Sequence, residues 1–450
     1  MFTANNLAER FSEAVLRRDA ALFIGSGFSR PSGGPSWSDL FSGFATDLGI
    51  TLRPDDDLPQ LAQFVVNSNL GNRGPLVSAI RDLTTATSGP NALHRAIART
   101  AISTIWTTNY DTLLEETYGA RVGAVRIEDS DLATFRNSDS RVEITKIHGC
   151  RERSAPGGLV ITTSDYDELD IRRPALVQKL RHDLMHRTFL FLGYSYSDPD
   201  IRTVMVQASR LAGGDTREHF MVSKKETRSP DLQRRQELWI DDLRRVGIRC
   251  ALVDEYDDLE ALLSKVVAMS RGRTIFPTGS HIEHSAFGAS LGDAIARTLP
   301  KVIILDGQSQ GVSRSVINGF SVSALNERLD LLTSTRLYPN PYAYDGNLSG
   351  DATLLPVLIA WRDQLLRDCR VLLAFDGGMG TAAEVEAAIN MGCTVVPVPL
   401  QEDGSARLLL TDPRVTSVLQ SLAPVYLAIV QARKPTVDEL TACISEVLEN

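Results

Sequence analysis

Cysteine is scarce in this chain: five occur in 450 residues, Cys150, Cys250, Cys369, Cys393 and Cys443, and no two have the spacing of a metal knuckle or a CxxC redox pair. A disulfide scaffold is therefore excluded, and a reducing cytoplasm is the expected location. Positive charge is also in short supply, with 47 lysines and arginines against 56 acidic residues and a net charge of -9. Such a chain has no field for holding a polyanion, so nucleic acid is not an expected partner. No run reaches the roughly 18 consecutive apolar residues of a membrane span, and the first residues, MFTANNLAERFSEAV, read as an amphipathic helix rather than a secretion signal. Membrane partners and secretion both drop out of the expectation. Fixed-period repeats and low-complexity tracts are missing as well. What remains, 43% hydrophobic and 23% charged residues, is the balance of a folded chain of about two or three domains.

Apolar runs alternate with helical patterns at spacings that suit crossovers between parallel strands. The runs are Ala20 to Ile24, Ile102 to Trp106, Val142 to Ile147, Thr188 to Leu192, His219 to Val222 and Ile248 to Val253. The expected fold is α/β, a doubly wound parallel sheet, followed by a second Rossmann-like α/β unit. Glycine, proline and polar residues from Ser270 to Gly288 mark a junction, which places the domains at 1–275 and 285–450. In the second unit Lys301 to Leu305, Val371 to Phe375 and Thr394 to Val398 are strand candidates, and Tyr338 to Gly350 reads as a loop.

Chemistry concentrates where strands end. In AALFIGSGFS the turn Gly25, Ser26, Gly27, Phe28, Ser29 lets main chain approach a ligand, and helix-start amides can receive phosphate oxygens. An ordinary strand-to-helix turn would look the same. Convergence carries more weight: TTNYD and KIHG follow two later strands, and open sheets gather ligands at the carboxyl ends of their strands. Asn109 can orient ribose hydroxyls or water, although it could simply supply a turn. Asp111 is placed to cap the next helix. His148, after Ile147, should emerge from the sheet, with an unperturbed pKa of ~6.5 that suits proton transfer. Gly193 and Ser195, in GYSYSD, follow a fourth strand and could meet ribose or phosphate.

In order, GSGFS, PSGGPSW, TTNYD, KIHG and GYSYSD resemble the SIR2-like family in its NAD-cleaving prokaryotic defence branch, from Ala20 to about Val253. That resemblance implies NAD+ as substrate, held by Gly25 and Gly27, with Asn109 at the nicotinamide riboside, His148 assisting chemistry at that ribose and Asp111 supporting the pocket. Protein-deacylating members carry a four-cysteine zinc module and a GIPDFR-like stretch; here the cysteines are isolated and SGGPSWSDLF stands in that place. No metal is expected, and water becomes the expected nucleophile.

The second unit holds CRVLLAFDGGMGTAAEVEAAINMGCTVVPV, with Gly378, Gly380 and Thr381 between a strand and a helix. Thr381 and Glu384 have capping-box spacing, which would explain both; alternatively the loop meets a phosphate and Glu384 a ribose hydroxyl. Gly307 and Ser309 lie in a second loop of the same kind, and Arg314, Arg336 and Arg362 are candidate phosphate partners. GGMGTAAE is similar to the signature of the SLOG superfamily, nucleotide-sensing modules and phosphoribohydrolases, with Asp376 where the signature has proline. SIR2-like followed by SLOG resembles the NAD-depleting effectors of Thoeris anti-phage defence. This implies activation by a cyclic ADP-ribose isomer from a TIR-domain protein, for which Gly307, Ser309, Arg314, Arg336, Arg362, Gly378, Gly380, Thr381 and Glu384 are the candidate contacts, and a homo-oligomer, commonly a tetramer. Two other functions fit the same residues: a non-enzymatic nucleotide-sensing scaffold, and a phosphoribohydrolase acting through Glu384.

Overall fold

The runs that read as strands pair as strands in a computed structural model that describes residues 2–34, 37–53, 56–133, 141–193, 206, 217–255, 257–341 and 354–449. Contacts divide the chain into two units, Met1–Val266 and Val267–Asn450. The first holds β1 (Ala20–Ile24), β2 (Thr104–Thr107), β3 (Val122–Arg126), β4 (Val142–Lys146), β5 (Thr188–Leu192), β6 (His219–Lys224) and β7 (Ile248–Val253). Their order is β3-β4-β2-β1-β5-β6-β7, and every pair is parallel. Strands β1 and β5 are buried at every residue, as continuous apolar runs covered on both faces should be. Leu22 stands opposite Ile105 on one side and Leu190 on the other. One core cluster holds Phe23, Trp106, Phe189 and Phe191, and the buried Trp106 Nε1 donates to Asp183 at 2.9 Å. The strand order reverses direction between β1 and β5, so the crevice for a ligand opens beyond their carboxyl ends.

The second unit contains β8 (Thr274–Thr278), β9 (Ile303–Asp306), β10 (Thr335–Leu337), β11 (Val371–Ala374) and β12 (Thr394–Pro397), ordered β10-β9-β8-β11-β12 and all parallel. Its reversal lies between β8 and β11.

Three expectations change. The stretch Ser270 to Gly288 is no linker: it contains β8, a fully buried strand at the centre of the second sheet. Pro277 made it read as a break. Yet β9 pairs with β8 only at Thr274 and Ile275, so the proline lies beyond the last rung on that side and its missing N–H breaks none there. The division at Val266 accordingly falls before the predicted 275 to 285 boundary. Strands β3 and β10 were not anticipated; β3 is half-buried over four of its five residues and β10 has three residues, so neither shows a hydrophobic run. Of the expected loop Tyr338 to Gly350, residues 342–350 lie outside the described ones.

Candidate functional site

Two turns meet at the reversal point of the first sheet. After β1 the chain makes a short 3-10 turn, Ser26–Phe28, and its amides are drawn toward β5: Gly25 N–H donates to Leu192 O and Gly27 N–H to Gly193 O, both at 2.9 Å. A Cβ on Gly27 would stand 3.0 Å from Gly193 O, and one on Gly193 would stand 2.2 Å from Phe28 N. Gly193 also has φ +63°, which favours glycine. Both glycines are thus required by the approach of the two turns to one another. Ser195 lies outside the described residues.

Beside this junction β2 delivers its own polar end. Thr107 Oγ1 donates to Ile24 O at 2.7 Å and accepts from Asn109 N–H at 3.0 Å, which turns the Asn109 side chain toward the β1 loop. Asn109 Nδ2 then donates to Gly25 O and to Ser29 Oγ, each at 3.2 Å, and Ser29 Oγ donates to Asp111 Oδ2 at 2.9 Å. The other Asp111 oxygen accepts Leu113 N–H at 3.1 Å at the start of the helix Leu113–Tyr118, so Asp111 serves that helix and the pocket together. From below, the fully buried Lys146 holds the Asp111 carbonyl and lies 3.2 Å from Glu115. With its amide hydrogens taken, Asn109 presents Oδ1, which is buried and has no hydrogen-bond partner among the described residues. Such an orphan is costly unless a ligand or water answers it.

Ser26, Ser29, Asn109 and Asp111 line one cleft together with Thr108, Tyr110, Gly34, Leu40 and three residues of the helix Gly74–Thr85, Ile80, Leu83 and Thr84. Its free interior is about 50 Å³, room for a water or two and far less than a nucleoside fills. Motif reading missed the wall from helix Gly74–Thr85, because its apolar stripe reads only as core.

His148 is placed differently from expectation. It does follow β4, the neighbour of β2, but its ring is 1% exposed, meets Tyr166 edge-on at 5.2 Å, and is not among the residues lining the cleft. The reason is the chain that follows: Val160 N–H returns to His148 O at 3.0 Å and covers it. Tyr110 links the two places, lining the cleft while its hydroxyl donates to Val160 O at 2.5 Å.

In the second unit the loops after β8, β9 and β11 share one end of the sheet. The helix after β11 begins at Met379, with Gly378 as its N-cap residue and no side-chain cap. The Thr381–Glu384 capping box is therefore not formed: Thr381 already lies inside the helix, and Glu384 accepts a hydrogen bond from Thr278 at the end of β8. Burial pushes the Glu384 carboxyl up, against the opposing pull of Thr278 and Arg362. A Cβ on Gly378 or Gly380 would meet nothing within 4 Å, so packing gives no reason for glycine there. Arg362 Nε is buried without a hydrogen-bond partner among the described residues. Gly307 and Ser309 lie in the loop after β9, where Arg314 is engaged by Asp306 at 3.1 Å. Arg336 does not join them, being paired at 2.8 Å with Asp368, whose carbonyl is held by Thr274 at the opposite, amino end of β8. Asp376 has a structural role, since its oxygens accept N–H groups of Leu400, Gln401 and Ala406 at 3.3, 3.3 and 2.9 Å.

The profile of the SIR2-like domain matches residues 103–244. The protein called NAD(+) hydrolase ThsA from Bacillus cereus (strain MSX-D12) is 31% identical over 325 residues, 69% of this chain and 68% of the relative. Its namesake from Enterococcus faecium is 30% identical, covering 70% of each chain, and that from Acinetobacter baumannii (strain 532279) is 26% identical over 82% of this chain and 79% of the relative.

Proposed function

The chain belongs to the family of the NAD(+) hydrolases ThsA, and from that membership we propose that it splits NAD+ with water into nicotinamide and ADP-ribose in anti-phage defence. Nicotinamide leaves with the bonding electron pair of the glycosidic bond, positive charge develops at the anomeric carbon, and water adds there and releases one proton. Asn109 is the observation that supports the assignment. Gly25 O and Ser29 hold its amide nitrogen, and Asn109 lines the cleft with Oδ1 buried and without a hydrogen-bond partner among the described residues, so that oxygen is the one assigned to hold the attacking water or a ribose hydroxyl in one orientation. Main-chain and side-chain oxygens around the developing cation lower its energy. His148, two residues beyond the neighbouring strand β4, is assigned the released proton, which in this reading reaches it only once the cleft opens toward it, and Tyr110, bonded to Val160 over that histidine, is the link between the two places.

The signal belongs to the second unit, in this reading a SLOG module that binds a cyclic ADP-ribose isomer supplied by a TIR-domain protein. Gly378 and Gly380, with no packing reason to be glycine, suit a close phosphate, while Arg362 and Glu384 suit phosphate and ribose hydroxyl. Arg314 would have to leave Asp306 to take part, and Arg336 is the weakest of the three arginines. A homotetramer in the cytoplasm completes the proposal.

The test measures nicotinamide release with and without cyclic ADP-ribose isomers, on the wild type and on Asn109→Ala. Release that rises with one isomer and falls at least a hundredfold in the variant supports the reading. NAD+ binding without release would make the chain a sensing scaffold. Hydrolysis of nucleoside monophosphates lost in Glu384→Ala but kept in His148→Ala would move the chemistry to the second unit.

A further inference from the structure

Two of the seven histidines of this chain fall within four residues, in the segment His281, Ile282, Glu283, His284. The segment follows β8 at the carboxyl end of the second sheet, and a short 3-10 turn, Ile282–His284, folds it back on itself. One ligating atom from each of His281, Glu283 and His284 lies within 4.8 Å of the others. We propose that these three side chains form a binding site for a divalent transition-metal ion, with Zn2+ as the best-matched occupant.

Donor chemistry selects the ion. Two imidazoles and one carboxylate are borderline-soft N and O donors, the set that Zn2+ accepts in tetrahedral coordination with a fourth corner left for water or an anionic oxygen. Tetrahedral bonds of ~2.0–2.1 Å put neighbouring ligand atoms roughly 3.3 Å apart. His281 Nδ1 and Glu283 Oε1 already stand 3.1 Å apart. The rings of His281 and His284 are nearly parallel, 8° between planes with centroids 6.3 Å apart, and the third donor, within 4.8 Å of the others, has to close by at most about 1.5 Å to reach the tetrahedral spacing. His284 Nε2 is shielded from solvent and makes no hydrogen bond among the described residues, a cost that a metal bond would remove.

Neighbouring groups behave as outer partners of a metal site do. Gln401 Nε2 donates to Glu283 Oε1 at 2.9 Å and holds the carboxylate. The buried Asp376 carboxylate lies 4.0 Å from His284 Nε2. Its oxygens are occupied by main-chain N–H groups, so it contributes negative field rather than a fourth bond. A bound ion would tie the loop after β8 to the segment around Gln401, on the side of the sheet where the glycine loop after β11 begins. Cysteine spacing gave no hint of this site, because it uses none. The proposal is independent of NAD+ cleavage.

Equilibrium dialysis of the tag-free, chelator-stripped full chain against Zn2+ at about pH 7.5 tests it. One ion per chain is expected, bound at least tenfold more tightly than by His281→Ala/His284→Ala, with Glu283→Gln intermediate. Co2+ should give the intense visible bands of a tetrahedral site in the wild type and none in the double variant. Far-UV circular dichroism checks that the variants are folded, and Glu283→Gln alone decides the question if the double variant is not. Equal uptake by the wild type and a folded variant, or an octahedral Co2+ spectrum, overturns the assignment.

Discussion

Ser29 is the hinge of the proposed catalytic arrangement, and removing one oxygen tests it. In Ser29→Ala, Asn109 Nδ2 loses its 3.2 Å partner and keeps only Gly25 O, while Asp111 Oδ2 loses the hydroxyl that reached it at 2.9 Å. Each hydrogen bond is worth a net ~0.5–1.5 kcal/mol, and a buried carboxylate oxygen left without a donor adds to the loss, so the arrangement is weakened by about 1–3 kcal/mol. If that energy holds Asn109 Oδ1 in its reacting orientation, kcat falls by roughly 10- to 100-fold, since about 1.4 kcal/mol is a factor of ten. Little of the loss should appear in KM, because no contact proposed to bind the substrate more tightly in the ground state is removed. The assay is nicotinamide release at saturating NAD+ under activating conditions, with thermal unfolding as a control. A folded variant whose kcat stays within about twofold of the wild type would refute the claim that the Asp111–Ser29–Asn109 chain orients the reacting group.

Gly193→Ala should be among the more damaging single-methyl changes, since its Cβ would stand 2.2 Å from Phe28 N at φ +63°. The left-handed strain alone is ~1–2 kcal/mol, so calorimetry should show a clear fall in Tm; an unchanged Tm would contradict the described packing of the two turns. Asp165 predicts a pH effect. Burial by itself would push its carboxyl up, but Arg73, at 2.6 and 2.8 Å, and the N–H groups of Thr162 and Ile161 outweigh it and hold it below the usual carboxylate range. A depressed folded value contributes stability that is present above the unfolded pKa of ~3.9 and is lost as pH falls through the folded one. Denaturant titrations should therefore show acid sensitivity in the wild type that is reduced in Asp165→Asn, which at neutral pH should be less stable by about 3 kcal/mol, because Arg73 loses its carboxylate partner and keeps only Leu159 O. Parallel pH profiles for the two proteins would count against the pair.

Strands that are apolar on both faces were legible in the sequence because burial on two sides leaves an unbroken run; β1 and β5 lie at the limits read from their residues. Where that signal weakens, so does the reading. The strand β3, VGAVR, faces solvent in part at the sheet's edge, and β8, TIFPT, carries a proline that is harmless only because of where its pairing with β9 stops. At the candidate site, strand-end polar residues were visible, and Ser26, Ser29, Asn109 and Asp111 do share a cleft. The direction of a side chain is a different matter. That His148 would be covered by the returning segment at Val160 depends on a contact twelve residues away, and that Glu384 reaches Thr278 depends on a separation of 106 residues. Local pattern carries neither fact.

The paired glycines of the first unit carry a mechanical consequence. Each turn fills the space where the other would place a side chain, so there is no slack between the end of the first strand and the end of the fifth. Displace one turn and the other must travel with it. Phe28 and Ser29, and through the Ser29 hydroxyl the amide of Asn109, are thereby tied in position to residue 193.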